Sequence, residues 1–205
     1  MSYSFFGTCF NDHKLLFDCL NTILNQTIAP KEIILINSGE ENIEKEIQDK
    51  ILDKKIKLIY IHRKLARVGA LNLAIDKSTS EFSLRFDTRS RFSNDYAEKA
   101  LKVIRDKNLN VSVVGGVPSV NTISKNFIAI ICSGIMVRTY LYFFPKHRNK
   151  KYTGYASSIY LGCFRTSVLK EIRFSEKKDL ISEDSLIISN FLENGFKAYI
   201  SSKIN

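Results

Sequence analysis

At 205 residues the chain is long enough to bury one full hydrophobic core, and its 44% hydrophobic and 25% charged content is ordinary for a globular domain. The charge is less ordinary: 31 Lys+Arg against 21 Asp+Glu leave +10 and a pI near 9.4. That excess favours an anionic partner, whether a phosphorylated ligand, an acidic membrane surface or nucleic acid. Cys9, Cys19, Cys132 and Cys163 have no CxxC spacing, which argues against a zinc site or a disulfide framework. Each reads as a buried thiol in a reducing, cytoplasmic setting, and no positively charged leader precedes an apolar core at the N-terminus, so no signal peptide is expected.

Tyr3 to Cys9 reads as a first strand, followed by a turn at Asn11-Asp12, either of which suits a helix cap. Leu15, Leu16, Cys19, Leu20, Ile23 and Leu24 recur at helical spacing between His13 and Gln26. After Pro30 a second apolar strand, Glu32 to Ile36, ends at Asn37-Ser38-Gly39; a charged helix through about Leu52 and a third strand, Ile56 to Ile61, follow. Val68 to Lys77 reads as a helix, Glu81 to Phe86 as a fourth strand, Tyr96 to Arg105 as a helix and Val111 to Val117 as a strand. Strands alternating with helices imply right-handed βαβ units, a mostly parallel sheet and one α/β domain.

Phe127 to Phe144 is apolar enough to approach a bilayer span. Ser133, Gly134, Arg138 and Thr139 interrupt it, and a central Arg costs about 2.5–3.5 kcal/mol on insertion scales. The segment reads as a buried helix in preference to one lying in a membrane interface, although Lys146, His147, Arg148, Lys150 and Lys151 would suit anionic head groups there.

Loops after the first, second and fourth strands would open on one edge of such a sheet, where open α/β sheets bind ligands. They carry Thr8-Cys9-Phe10-Asn11, Asn37-Ser38-Gly39 and Asp87-Thr88-Arg89. In the last of them an apolar run ends in a carboxylate crowded by Arg85, Arg89 and Arg91. Arginines suit phosphate oxygens through planar bidentate bonds, so the residues alone leave open a metal site, a diphosphate site or a strand-end ion pair. No GxGxxG or GxxxxGK[ST] pattern occurs.

The order of motifs resembles the family 2 glycosyltransferases of the GT-A fold, over nearly the whole chain. The resemblance rests on Thr8-Cys9-Phe10-Asn11, on Ile23-Leu24-Asn25-Gln26-Thr27, on Gly69-Ala70-Leu71-Asn72-Leu73-Ala74-Ile75, on Gly162-Cys163-Phe164-Arg165 and on Ser182-Glu183-Asp184-Ser185-Leu186 before Asn194-Gly195-Phe196. Its flavour, Asp-x-Arg, then Gly-Gly-Val-Pro, then Gly-x-Phe-Arg, is closest to the succinoglycan-type glucosyltransferase branch. The resemblance implies a three-layer α/β/α domain over residues 1–205 with a mostly parallel central sheet. Residues 1–117 would form the nucleotide-sugar-binding half and 118–205 the acceptor-side half.

By the same resemblance the enzyme moves a sugar with inversion from a nucleotide diphosphate sugar, uridine-linked in the usual case, to a saccharide or lipid-linked acceptor in cell-surface polysaccharide synthesis. It would work in the cytoplasm, with a peripheral contact at the inner face of the membrane. Asp184 becomes the base that deprotonates the acceptor hydroxyl, with Glu183 beside it. Thr8, Phe10, Asn11, Asn37, Ser38, Arg67, Gly69, Asn72, Asp87 and Arg89 fall on the donor side, and Gly162, Phe164 and Arg165 on the acceptor side. Asp87 is the first acid of an Asp-x-Asp metal motif whose second acid is replaced by Arg89, which has no lone pair for Mg²⁺ or Mn²⁺. Either Asp87 holds a metal otherwise coordinated by diphosphate and water, with help from Arg89, or Arg89 neutralises the diphosphate with Arg85 or Arg91; the first is the expectation. Phe10 replaces a common Tyr and Asn37-Ser38 a usual Asp-Asp pair, so a degenerate nucleotide-sugar-binding module is the alternative. Nucleic-acid binding lacks an RNP or helix-turn-helix signature, and a nucleotidyltransferase lacks its Gly-rich basic loop.

Overall fold

The protein is described here from a computed structural model, which covers residues 2–118, 128, 131–132, 134–135, 151–175 and 183–204. Apolar alternation and helical periodicity build β1 (Tyr3–Cys9), α1 (His13–Leu24), β2 (Glu32–Asn37), α2 (Glu44–Ile51), β3 (Lys57–His62), α3 (Arg67–Lys77), β4 (Phe82–Asp87) and α4 (Tyr96–Ile104). Shorter elements follow: β5 (Val113–Gly115), β6 (Gly154–Tyr155), β7 (Cys163–Arg165), α5 (Thr166–Ile172), α6 (Glu183–Glu193) and β8 (Ala198–Ile200).

The strands form one sheet in the order β3-β2-β1-β4-β7-β5-β8-β6. Its first half is parallel, with β1 between β2 and β4 and β3 outside β2. Beyond β4 the short β7 runs antiparallel to both β4 and β5, while β5 and β8 pair in parallel and β6 closes the edge antiparallel. The two-residue β6 has too little apolar pattern to be legible in sequence.

Because side chains alternate across a strand, the sheet carries a core on each face. Phe5, Ile33, Leu35, Leu84 and Phe86 face α1 and α4, whose Leu16, Leu20, Ala100 and Leu101 are fully buried. Phe6, Ile34, Ile36 and Phe164 face α3, α5 and α6, through Leu71, Ile75, Leu169, Ile188 and Phe191. The result is the three-layer α/β/α arrangement that the family resemblance implies. Asp12 occupies the N-cap of α1 but makes no side-chain capping bond, because its carboxylate turns to Arg89 instead.

Cys9, Cys19 and Cys163 are buried free thiols, whereas Cys132 is exposed, against expectation. Burial pushes the thiol of Cys9 up to about 11 and that of Cys19 up to about 12. Most of 127–144, together with Lys146, His147, Arg148 and Lys150, lies outside the described residues. Within that segment Ile128, Ile131 and Ile135 are helical and exposed and do not show the burial expected of them. Among the described residues, no helix is long and apolar enough to cross a membrane.

Gly7 lets β1 approach β4. A Cβ there would sit 2.7 Å from the Phe86 carbonyl oxygen and 2.8 Å from the Phe86 ring. We expect Gly7→Ala to lower stability by about 1–3 kcal/mol, as overpacking in a filled core does. Urea unfolding would show this as a lower midpoint at unchanged slope; an unchanged midpoint would mean that the β1–β4 contact yields at no cost.

Candidate active site

Strand register brings three loops to one edge. Thr8 pairs with Asp87 and Cys9 with Asn37, so β1, β2 and β4 end side by side. Above these ends lies a cavity of about 330 Å³ whose wall includes Thr8, Phe10, Ser38, Arg67, Asp87 and Arg89. Phe10 is 63% exposed, an open aromatic face at the mouth. Among the described residues the buried hydroxyl of Ser38 is without a hydrogen-bond partner, and such a group calls for a polar ligand atom.

Other expected donor-side residues shape the loops. Asn37 is fully buried; its Nδ2 donates to the Glu41 carbonyl at 2.7 Å and to Tyr60 Oη at 2.8 Å, and its Oδ1 accepts from the Gly39 amide at 2.9 Å. Its side chain is therefore spent on folding the β2 loop, not offered to the cavity. Asn11 takes a left-handed φ of 51°, tolerated by Asn, and its Oδ1 accepts from the Glu40 amide at 3.1 Å, tying the first loop to the second. Asn72 pairs with the backbone of Phe174 through two bonds of 2.9 Å and is also buried away from the cavity. Gly69, in the first turn of α3, faces open space.

The charged residues form a continuous chain across this edge. Alternation along β4 turns Phe82, Leu84 and Phe86 to one core and leaves Arg85 on the other face, where it is 2% exposed. There α6 begins with Glu183 and Asp184. Arg85 donates one nitrogen to Asp184 Oδ1 and the other to Glu183 Oε1 at 3.0 Å, and stacks over the Phe174 ring at 5.0 Å. Arg67 forms an ion pair with the same Glu183 oxygen at 2.7 Å and donates to Asp87 Oδ2 at 3.1 Å. Asp87 Oδ1 accepts the Arg89 amide at 3.0 Å, and the Arg89 guanidinium reaches Asp12 at 3.3 Å.

Burial raises the Asp184 carboxyl above its ordinary value, opposed by Arg85 and reinforced by Glu183. Burial also pushes Glu183 upward, but its own backbone amide together with Arg67 and Arg85 outweighs that and leaves it below the usual carboxylate range. The two neighbours thus differ in proton affinity, the arrangement that separates roles within an acid pair.

Two expected arginines do not face the cavity. Arg85 is buried under α6, and Arg91 turns to Asp18 at 2.9 Å and to the Thr88 carbonyl at 3.1 Å. On the far side, Gly162 is buried and its carbonyl accepts the Arg85 amide at 3.1 Å, so it holds β7 against β4. The side chains of Phe164 and Arg165 lie away from the site. Phe164 is in the core, and Arg165, opposite Phe82 at the other end of β4, donates to the carbonyls of Val111 and Ile104. The antiparallel course of β7 explains both, because each of its residues steps further from Asp87. Sequence reading missed Asp12 as a cavity residue and the carboxylate partners of Arg85; a lone arginine inside an apolar strand was the available signal.

Among the described residues, no group of three or more His, Cys, Asp or Glu could hold a metal. A cation at Asp87 would need phosphate and water for its other ligands, as Mg²⁺ commonly does. The charge balance fits this. Arg67, Arg85 and Arg89 face Asp12, Asp87, Glu183 and Asp184, three positive charges against four negative. A diphosphate arriving there needs more positive charge than the arginines leave free, and each Asp87 oxygen keeps a second lone pair.

A parallel βαβ half with a ligand cavity at its strand ends, joined to a carboxylate pair on a later helix, defines a GT-A type domain. The family model described as glycosyl transferase family 2 matches residues 4–173, and the chain belongs to that family. An uncharacterized glycosyltransferase of Haemophilus influenzae is 26% identical over 108 residues, 52% of this chain and 33% of that protein. The putative glycosyltransferase EpsH of Bacillus subtilis is 26% identical over 99 residues, 48% of this chain and 29% of that protein. The matched stretches thus span about a third of these relatives' length. Among solved structures, S. aureus TarS 1-349 in complex with UDP-GlcNAc superposes with a TM-score of 0.71 at 19% identity, covering 98% of this chain and 56% of that one. The mannosyltransferase PcManGT from Pyrobaculum calidifontis, in complex with GDP-Man and Mn²⁺, gives 0.70 at 15% identity with the same coverages.

Replacing Arg85 strands two partly buried carboxylates. We expect Arg85→Met to lose about 3–5 kcal/mol of stability at neutral pH. The deficit should shrink on acidification, because Glu183 and Asp184 become neutral and no longer need a cation. The wild type works with the same signs: the lowered Glu183 adds stability that is lost as pH falls through its folded value, whereas the raised Asp184 favours the protonated fold and subtracts as pH rises. Urea unfolding of both proteins across pH 4–8 measures this, and a pH-independent deficit would assign Arg85 a packing role alone.

Proposed function

We propose that the chain transfers a sugar, with inversion, from a uridine diphosphate sugar to a saccharide or lipid-linked acceptor in cell-surface polysaccharide synthesis. The observation that carries this reading is the junction at Arg67, which lines the cavity and forms ion pairs with both Asp87 and Glu183. It ties a site with the shape and donors for a nucleotide diphosphate to a carboxylate pair of divided proton affinity. TarS in complex with UDP-GlcNAc supports a uridine donor by likeness of fold. The Asp-x-Arg and Gly-x-Phe-Arg motifs support the succinoglycan-type branch.

In this reading Phe10 stacks on the base and the Ser38 hydroxyl meets a polar atom of the nucleoside. Arg67 and Arg89 hold diphosphate oxygens. Asp87 is the residue that would hold Mg²⁺ or Mn²⁺, which when bound supplies positive charge to the departing diphosphate. As the acceptor oxygen bonds to the anomeric carbon, the bond to the diphosphate oxygen breaks and its electron pair leaves with the nucleotide. The hydroxyl proton passes to Asp184 Oδ2, since Oδ1 is committed to Arg85. Burial makes Asp184 a stronger base than a free carboxylate. The charge of +10 and the exposed Ile128, Ile131 and Ile135 support an acceptor met at an anionic membrane surface.

Calorimetric titration with UDP-glucose, UDP-GlcNAc and GDP-mannose, with and without Mn²⁺, tests the donor class; we expect a uridine-linked sugar to bind, more tightly with metal. Asp184→Asn should keep nucleotide binding within about threefold while transfer falls by about 10²–10⁴. Near-normal turnover in that variant would remove Asp184 as the base. Binding with no turnover in the wild type would leave a nucleotide-sugar-binding module.

A further inference from the structure

We propose that Tyr160 is the platform for the acceptor, stacking a pyranose ring between Asp87 and the carboxylate pair; this rests on the transferase reading above. Tyr160 is 42% exposed, while its neighbours Ile159 and Leu161 and the residues from Gly162 to Phe164 are buried. Its hydroxyl lies 3.3 Å from that of Ser90, in the turn that follows Asp87. Burial raises the phenol and the Ser90 hydroxyl opposes the shift.

The backbone is bent to present it. Leu161, a bulky residue with no glycine's freedom, adopts a left-handed φ of 51°. Three fixtures hold that conformation. The Leu161 side chain is packed in the core, its carbonyl accepts the buried Tyr96 hydroxyl at 2.7 Å, and the next carbonyl, of Gly162, accepts the Arg85 amide at 3.1 Å. A costly backbone state retained beside a candidate site and over-determined by its surroundings points to a positional requirement.

The side of approach selects the ligand. The donor cavity is built by the loops of β1, β2 and β4, whereas Tyr160 enters ahead of β7, which pairs with β4 on the edge away from β1. Asp87 therefore lies between the cavity and Tyr160. Inversion requires the acceptor hydroxyl opposite the departing diphosphate, which is the Tyr160 side. A pyranose ring offers an apolar C–H face to an aromatic ring while its hydroxyls remain at the edge for hydrogen bonds, and Tyr supplies that rigid amphipathic surface. Tyr160 thus takes the acceptor-side place that Phe164 and Arg165 do not fill.

The test uses the full chain with UDP-glucose, UDP-GlcNAc or GDP-mannose as donor and methyl glycosides of glucose, galactose, mannose and N-acetylglucosamine as acceptors. Transfer and donor hydrolysis by water are followed separately. Tyr160→Ala should lose at least about tenfold in transfer through a raised KM for glycoside, with hydrolysis and nucleotide Kd within about twofold of wild type. Tyr160→Phe, which keeps the ring face, should transfer within about twofold. Unchanged transfer in Tyr160→Ala overturns the proposal, as does a parallel loss of hydrolysis and nucleotide binding. A wild type that hydrolyses donor but is diverted by none of the glycosides also overturns it. A wild type that consumes none of the donors overturns the transferase reading, and this one with it.

Discussion

A guanidinium buried inside a strand is tolerable only if its charge is met, and Arg85 is met twice, by Glu183 and by Asp184. The pairing fastens the start of α6 onto β4, about a hundred residues earlier in the chain. It also fixes the carboxylates against the sheet edge where the cavity opens. Without the cation those acids would repel one another and seek water. Without the acids Arg85 would be a charge stranded beneath a helix. Fold and site therefore share one interaction, and the Phe174 ring beneath Arg85, itself held by Asn72, completes its seating.

The parallel half of the molecule was legible in sequence because its strands are long, apolar and separated by helices of clear period. Boundaries fell within a residue or two for β1, β2, α3 and α4. The cluster of Asp87 among arginines was equally visible, but its division of labour was not. Arg85, Arg89 and Arg91 stand within seven residues, yet one is buried under α6, one reaches Asp12 over the cavity and one turns to Asp18. Strand alternation accounts for Arg85; the fates of the other two depend on the turn after β4, which carries no periodic signal.

Several residues picked out by motif turn their side chains away from the cavity. Asn72 lies in a motif that carries the resemblance and Asn37 where the family usually has an acid, yet each spends its amide on holding the protein's own loops. The resemblance puts Gly162, Phe164 and Arg165 on the acceptor side, yet they lie in a short antiparallel strand that leads away from Asp87. Tyr160 stands just outside that motif. The left-handed bend that exposes it falls on a leucine, where neither a glycine nor an asparagine announces it.

Arg67 has a consequence for how the cavity and α6 share charge. Its guanidinium, 53% exposed, bonds to an acid on β4 and an acid on α6. An anion that drew the guanidinium away from Glu183 would remove one of the two cations on that acid and leave Arg85 as its partner. Within the protein itself, Asp87 and Glu183 each have arginine partners. One surface arginine thus links the charge of the cavity wall to the start of α6.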